Sequence, residues 1–373
     1  MSATGALILL NSDRRELPER LSRRSGLPVH LITTERYRDH YGAGPDVSYV
    51  RDWHDLTAVR AAALHIAAQR PVRGVAAATE KSVPAAGLVR SALQLPGPGY
   101  DRSLAFSHKD VMKRRLGERG IRVARCATAY RLEDVPRLGA ELGWPVVVKP
   151  VTGASARHVV RLDGPSGSTD LGPADPAVTG IPLLVEEHLE VLAEYHVDAV
   201  IRNDQVVFHA VSRYFAPVLS LPRERRGSFL LPDGSPSHPE LTALLHRVVA
   251  ALRPGRGVVH LECLETPDGL HVGEIAARPG GGGIPRTLHE AYGVDLWDEV
   301  LAGELDEERG AEPAVPERVH AWARVPVADG AQGFEVICFS AATADGVRER
   351  YARLQRDAAT AGVQEREGVA PWS

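Results

Sequence analysis

The sequence predicts an α/β N-terminal domain followed by a region of antiparallel strand pairs. Three observations carry this. Over the first hundred residues, short apolar runs alternate with stretches of helical spacing, the pattern of strands joined by helices into a parallel sheet. Leu95-Pro96-Gly97-Pro98-Gly99 then breaks the pattern and marks a boundary. Further on, two strand-like runs, 258–265 and 270–277, flank Pro267-Asp268-Gly269, a hairpin signal.

The elements follow in order. Residues 6–11 read as a buried strand, a charged helix follows, and residues 29–34 form a second strand. Residues 46–50 supply a third. From Leu56, apolar residues at Val59, Ala63, Ile66 and Ala67 keep helical spacing. Residues 74–78 are another strand and 83–93 another helix. After Ser107-His108-Lys109-Asp110 comes a helix carrying Val111, Met112 and Leu116, with Gly117 and Gly120 where it should stop. A second helix, 132–142, ends at Gly143. Residues 144–150 are a strand, 152–156 a small-residue loop and 183–187 a strand. Tyr195, Val197 and Ala199 alternate with His196, Asp198 and Val200, and 205–211 pairs with that run as an antiparallel neighbour. Residues 221–239, with Arg223, Arg225, Arg226 and several prolines, read as a long loop or lid. The last part offers one strand (334–339) and one helix (about 346–359).

Bulk properties narrow the function. At 373 residues the chain can bury a sizeable core in two or three domains. A formal charge of −4 with a pI near 6.4 makes no electrostatic case for nucleic acid. Cys126, Cys263 and Cys338 are widely spaced and odd in number, which argues against a disulfide framework and a zinc knuckle. The apolar run 6–10 is too short for a signal peptide core, and no run approaches a membrane span. A cytoplasmic protein is expected, with neither nucleic acid nor membrane as partner.

The hairpin is the most informative segment. With a three-residue loop centred on Asp268, Glu262 faces Glu274. Alternation puts Glu274, Ala276 and Arg278 on one face, with His260, Glu262 and Leu264 on the matching face. Two carboxylates opposed across a sheet repel. A hard cation between them removes the repulsion, because Mg²⁺ takes carboxylate oxygens and shares the rest of its shell with phosphates. Arg278 and glycines 280–283 extend the pattern toward an anionic, phosphorylated substrate. His260 reads as a ligand, a base or a satisfied strand histidine. Glu80 follows the last strand of the first domain, where α/β ligands gather, and reads equally as a helix cap.

Taken in order, Ser107-His108-Lys109-Asp110, Pro145-Val146-Val147-Val148-Lys149-Pro150, Leu184-Val185-Glu186-Glu187-His188-Leu189, the Glu262/Glu274 pair and Arg278 resemble the ATP-grasp superfamily. The resemblance is to its carboxylate–amine ligase branch and covers about residues 75–300. It implies an ATP-grasp fold with an N-terminal Rossmann-like (pre-ATP-grasp) domain at 1–104. ATP-grasp lobes would occupy 105–314, small lobe about 105–185 and large lobe about 186–314. A C-terminal extension, 315–373, would pack on the large lobe.

The resemblance also implies roles. Lys109 and Lys149 reach the ATP phosphates, as point charges that neutralise the transferring group. Read alone each lysine is a solvated surface charge, but Lys149 closes an apolar strand where an unpartnered charge is costly. The loop 152–159 matches a flap over the phosphates, with Gly153 as its one glycine. Glu186 and the backbone of Glu187, His188 and Leu189 hold adenine, and Glu194 the ribose. Glu262 and Glu274 bind Mg²⁺, or Mn²⁺ in its place. Ala276 stands where many members have a metal-binding asparagine. Arg278 steadies the acyl phosphate and the tetrahedral intermediate, and Gly281 lets substrate approach the backbone. Arg213, Tyr214 and Arg286 are candidates for a carboxylate clamp. The implied reaction is ATP-dependent amide formation between small acids or amino acids through an acyl phosphate, releasing ADP and phosphate. A phosphotransferase or carboxylase-type enzyme with another acceptor, or a non-catalytic ATP-binding protein, is the competing reading. The partners implied are a small carboxylate and an amine, with a homodimer as the oligomer common in such proteins.

Overall fold

The computed structural model describes residues 5–12, 14–153, 158–307, 313–327 and 333–360. The first layer is built from β1 (Ala6–Leu10), α1 (Glu16–Ser25), β2 (Val29–Thr34), α2 (Arg38–Tyr41), β3 (Val47–Val50), α3 (Leu56–Gln69), β4 (Val72–Ala77) and α4 (Val83–Leu93). Its four strands run parallel in the order β3-β2-β1-β4. β1 is buried along its whole length, as a central strand covered on both faces must be. Gly26 closes α1 with φ 66°, and the Asp55 carboxylate caps α3 by accepting from Ala58 N.

A small lobe follows: α5 (Tyr100–Leu104), α6 (Lys109–Gly117), β5 (Cys126–Ala129), α7 (Asp134–Leu142), β6 (Val146–Pro150), β7 (Val160–Leu162), α8 (Pro176–Thr179) and β8 (Leu183–Glu187). Its sheet is antiparallel, in the order β5-β8-β6-β7. Val135 and Leu138 of α7 pack on Val146, Val148 and Val185.

The large lobe contains β9 (Ala193–Arg202), β10 (Gln205–Tyr214), β11 (Gly227–Leu230), α9 (His238–Leu252), β12 (Gly257–Thr266), β13 (Gly269–Ala276), α10 (Ile284–Tyr292) and α11 (Leu296–Leu305). β14 (Val319–Pro326), β15 (Phe334–Ala341) and α12 (Ala344–Thr360) complete the described chain. Seven antiparallel strands run β13-β12-β9-β10-β11-β14-β15.

Two expectations are corrected. The loop expected at 221–239 contains β11, whose four residues are all buried, so no alternation announces it. The tail holds two strands rather than one: β14 joins β15, and its buried Val319, Ala321, Ala323 and Val325 do alternate. Among the described residues the three cysteines are free and no helix is long and apolar enough to cross a membrane.

The first layer is tied to α11. The Arg90 guanidinium ion-pairs with Glu304, and Glu304 Oε2 accepts from Val75 N at 3.2 Å. Arg20 pairs with Asp295 and Asp298 at the other end of the same contact.

Candidate active site

The large sheet carries its polar residues in rows. Register places Glu274 beside Glu262, Glu262 beside His196, and His196 beside Ser212. A neighbouring row runs His260 to Asp198. On the other side Glu194 lies in the row of Tyr214, which pairs with Ser228, which pairs with Trp322. Strand alternation puts all of them on one face.

The hairpin reaches its predicted pairing by another route. Thr266 pairs with Gly269, so the loop is two residues, Pro267 and Asp268, rather than three. A bulge between Glu262 and Cys263, opposite Gly273, restores the lost step, and Glu262 still faces Glu274. Gly269 keeps φ 107°, a conformation that favours glycine.

Charge is concentrated around this pair. Lys109 Nζ lies 3.0 Å from Glu274 Oε1 and 3.6 Å from Glu80 Oε1, and donates to Gly153 O at 2.7 Å. Arg278 Nη2 donates to Glu80 Oε2 at 2.9 Å. Burial, and then the Glu274 charge, push Glu80 up to about 8. Burial acts the same way on Glu274, but Lys109 outweighs it and holds Glu274 at about 2. Glu262 Oε1 accepts from Tyr214 Oη at 3.2 Å and lies 3.4 Å from His260 Nε2. Burial opposes its ionisation, and His260 outweighs burial and lowers it. Glu194 is pushed up to about 8 by burial and by Glu262, and its Oε2 accepts from Val218 N at 2.7 Å.

The far end belongs to the small lobe. Lys149 Nζ lies 2.9 Å from Glu186 Oε2, and Lys113 Nζ 3.3 Å from Glu186 Oε1. Burial lowers Lys113, against the pull of Glu186. The two lysines overcome burial to keep Glu186 ionised. Glu187 accepts from Arg125 N at 2.8 Å and from its Nε at 2.6 Å.

One cavity of about 680 Å³ joins the two ends. Lys109, Lys149, Glu186, Glu187, His188, Leu189, Glu194, Tyr214, Glu262, Glu274, Arg278 and Gly281 all line it. Two expected clamp residues do not. Arg213 neighbours Tyr214 on β10, so alternation turns it to the opposite face, where its Cζ lies 5.8 Å from the Tyr195 ring. Arg286 lies along α10 and pairs with Glu290 one turn on, Nε to Oε1 at 2.7 Å. The expected flap includes residues 154–157, which lie outside the described residues.

His260 is a satisfied strand histidine: Nδ1 lies 2.9 Å from Asp198 Oδ1. Asp198 Oδ2 lies 2.6 Å from His196 Nδ1, and His196 Nε2 2.7 Å from Ser228 Oγ. Sequence reasoning missed this chain of buried groups beneath Glu262. Its one available signal was two histidines and an aspartate at inward-facing positions. Lys113 was missed too, with only its spacing of one helical turn from Lys109 as a clue. Ala276 is buried and its side chain offers no oxygen, so the carboxylates that the hairpin turns to the cavity are Glu262 and Glu274.

No protein-family model matches the chain. It is 32% identical over 305 residues to the L-arginine-specific L-amino acid ligase of Bacillus subtilis, across 79% of this chain and 74% of that one. The chain belongs to the ATP-grasp carboxylate–amine ligases. This ATP-grasp ligase is also 26% identical over 303 residues to an uncharacterised protein of Sinorhizobium fredii, across 79% of this chain and 62% of that one. Its fold matches the crystal structure of an L-amino acid ligase from Bacillus licheniformis with a TM-score of 0.73, at 18% identity over 94% of this chain and 97% of that one. It matches carboxyaminoimidazole ribonucleotide synthase from Aspergillus clavatus, complexed with ATP, with a TM-score of 0.73 at 17% identity over 96% and 99%. The ATP-grasp ligase therefore uses ATP to join a carboxylate to an amine, through an acyl phosphate, with release of ADP.

Proposed function

We propose that this enzyme joins two amino acids into a dipeptide and that the cavity residues divide the work as follows. A carboxylate oxygen of the first amino acid attacks the γ-phosphorus in line. The bond to the β-phosphate oxygen breaks and ADP leaves. Lys109 and Lys149 neutralise the charge that develops on the phosphates. To do so Lys109 exchanges its contact with Glu274 for one with phosphate. The amine of the second amino acid then attacks the acyl carbon and phosphate departs. Arg278 stabilises the oxyanion, held in place by its bond to Glu80.

Glu262 and Glu274 suit a divalent ion: both face the cavity, and their like charges sit opposite each other. Mg²⁺ or Mn²⁺ bound there supplies positive charge to the nucleotide phosphates. Without an oxygen at Ala276, the set fits one ion. Since Glu186 is engaged by Lys113 and Lys149, the adenine edge falls to the backbone of Glu187, His188 and Leu189, and the ribose to Glu194.

The observation that carries this reading is the opposed Glu262/Glu274 pair sharing one cavity with Lys109, Lys149 and Arg278. Its test is ADP release from ATP and Mg²⁺ with pools of amino acids, with the product identified by mass spectrometry. Dipeptide formed in step with ADP is expected. ATP binding without ADP release in any pool would sink the reading.

A further inference from the structure

Glu262 uses its two oxygens differently. Tyr214 Oη donates to Oε1 at 3.2 Å, and His260 Nε2 lies 3.4 Å from the same atom. Among the described residues no hydrogen bond or ion pair reaches Oε2. The carboxylate lines the cavity, with Glu274 opposite.

His260 is itself fixed from behind. Its Nδ1 faces Asp198 Oδ1 at 2.9 Å, and Asp198 Oδ2 faces His196 Nδ1 at 2.6 Å. His196 Nε2 lies 2.7 Å from Ser228 Oγ, which accepts from Trp322 Nε1 at 2.7 Å. All these groups are buried. An indole N–H only donates, and this sets the order of hydrogens along the chain. Ser228 accepts from Trp322 and gives its own hydrogen to His196 Nε2. His196 then carries its hydrogen on Nδ1, toward Asp198. Both nitrogens of His260 face carboxylate oxygens, which only accept, so each carries a hydrogen. That leaves His260 no lone pair with which to hold an ion or take a proton. His196, Asp198 and His260 bring ligand atoms within 4.8 Å of one another, but these hydrogens fill the space between them. The glycine run covers the chain: a Cβ on Gly280 would stand 2.9 Å from Asp198 Oδ1 and 3.0 Å from His260 Nδ1.

Mg²⁺ demands near-ideal octahedral geometry, whereas Ca²⁺ accepts a carboxylate through one oxygen or both. A carboxylate with one oxygen already engaged therefore suits Mg²⁺ better. We propose that His260 is a positioning residue: with Tyr214 it occupies Oε1 of Glu262, so that the divalent ion meets Oε2 alone and the site prefers Mg²⁺ to Ca²⁺. The buried chain from Trp322 to Asp198 keeps the imidazole from turning away. The inference rests on the reading above that Glu262 and Glu274 share a divalent ion.

The test is calorimetry of ADP binding to the full chain, once with Mg²⁺ and once with Ca²⁺. His260→Asn retains an amide to donate to Asp198 and removes the donor at Oε1. Tyr214→Phe keeps the ring and removes the other donor. Each should weaken binding with Mg²⁺ about 10- to 100-fold and binding with Ca²⁺ less, so that the preference narrows. His260→Gln, with an amide long enough to reach Oε1, should recover part of it. A role confined to folding would weaken both complexes alike. Equal losses with the two ions overturn the proposal, as does a wild-type preference in His260→Asn. If His260→Asn does not fold, a wild-type preference in Tyr214→Phe overturns it. Glu262→Gln separates the two readings. Wild-type binding with Mg²⁺ in that variant overturns the shared ion itself. Its loss there, beside an unchanged preference in the His260 and Tyr214 variants, overturns only the positioning role.

Discussion

Glu274 is the residue on which most of the site's charges converge. Lys109 meets it at 3.0 Å, Glu262 faces it across the hairpin, and the two together hold the proposed ion. Glu274→Gln keeps the shape and removes the charge. Turnover should fall by about 10²- to 10³-fold, the range seen when one preorganised charge-stabilising group is lost, with weaker Mg-nucleotide binding in a titration. Activity unchanged from wild type would remove Glu274 from the site. Asp198 makes a different prediction. It is buried between His196 and His260, and against the effect of burial these hold its carboxyl well below the usual range. Removing one partner of such a network costs about 3–5 kcal/mol, so Asp198→Asn should lower the melting temperature markedly. The sign with pH follows from the lowered folded-state pKa. This stability is fully present above the unfolded value, roughly 3.9, and is lost as pH falls through the folded one. The acid limb of a stability curve should flatten in Asp198→Asn. An unaltered limb would place the network's contribution elsewhere.

Among elements, the β12–β13 hairpin shows how one extra residue decides chemistry. With its two-residue loop alone, the ladder would pair Glu262 with Gly273. The bulge at Gly273 shifts the partner to Glu274 and keeps both carboxylates toward the cavity. Inserting one residue between Gly273 and Glu274 moves Glu274 a step along β13, and a one-residue slip turns its side chain to the other face. Loss of Mg-nucleotide binding with the circular dichroism spectrum retained is the expected outcome. β11 carries a second prediction. A Cβ on Gly227 would collide with the Trp322 carbonyl and stand 2.9 Å from Ala323 Cα. Gly227→Ala should therefore spread β11 from β14, at a cost of about 1–3 kcal/mol, measurable in denaturant unfolding. The same change should disturb the alignment of Arg226 with Arg324. The loop expected at 221–239 hid this strand because four buried residues between Arg- and Pro-rich stretches carry no period.

At the scale of the molecule, the N-terminal layer is part of the site. Glu80 follows β4, yet its carboxylate touches Arg278 of the large lobe and lies 3.6 Å from Lys109 of the small one. The Arg90–Glu304 pair fastens this layer to α11. Arg90→Met leaves a partly buried Glu304 without its cation, a loss of about 1–3 kcal/mol. Differential scanning calorimetry should then show the N-terminal layer melting ahead of the rest. A single transition at the wild-type temperature would show that the pair contributes nothing to docking.

The sequence by itself determined the order of the motifs, the parallel first layer and the opposition of Glu262 to Glu274. Those features are local, and they show as periodicity, turn residues and short spacings. Only the tertiary structure decided that Glu80 and Arg278 meet, that Lys113 and Lys149 share Glu186, that Arg213 and Arg286 stand outside the cavity, and that Arg226 faces Arg324. Each depends on which strand lies beside which, or on the face a side chain takes. Partners far apart along the chain leave no period in the sequence, so charge pairs of this kind become visible only when the sheets are assembled.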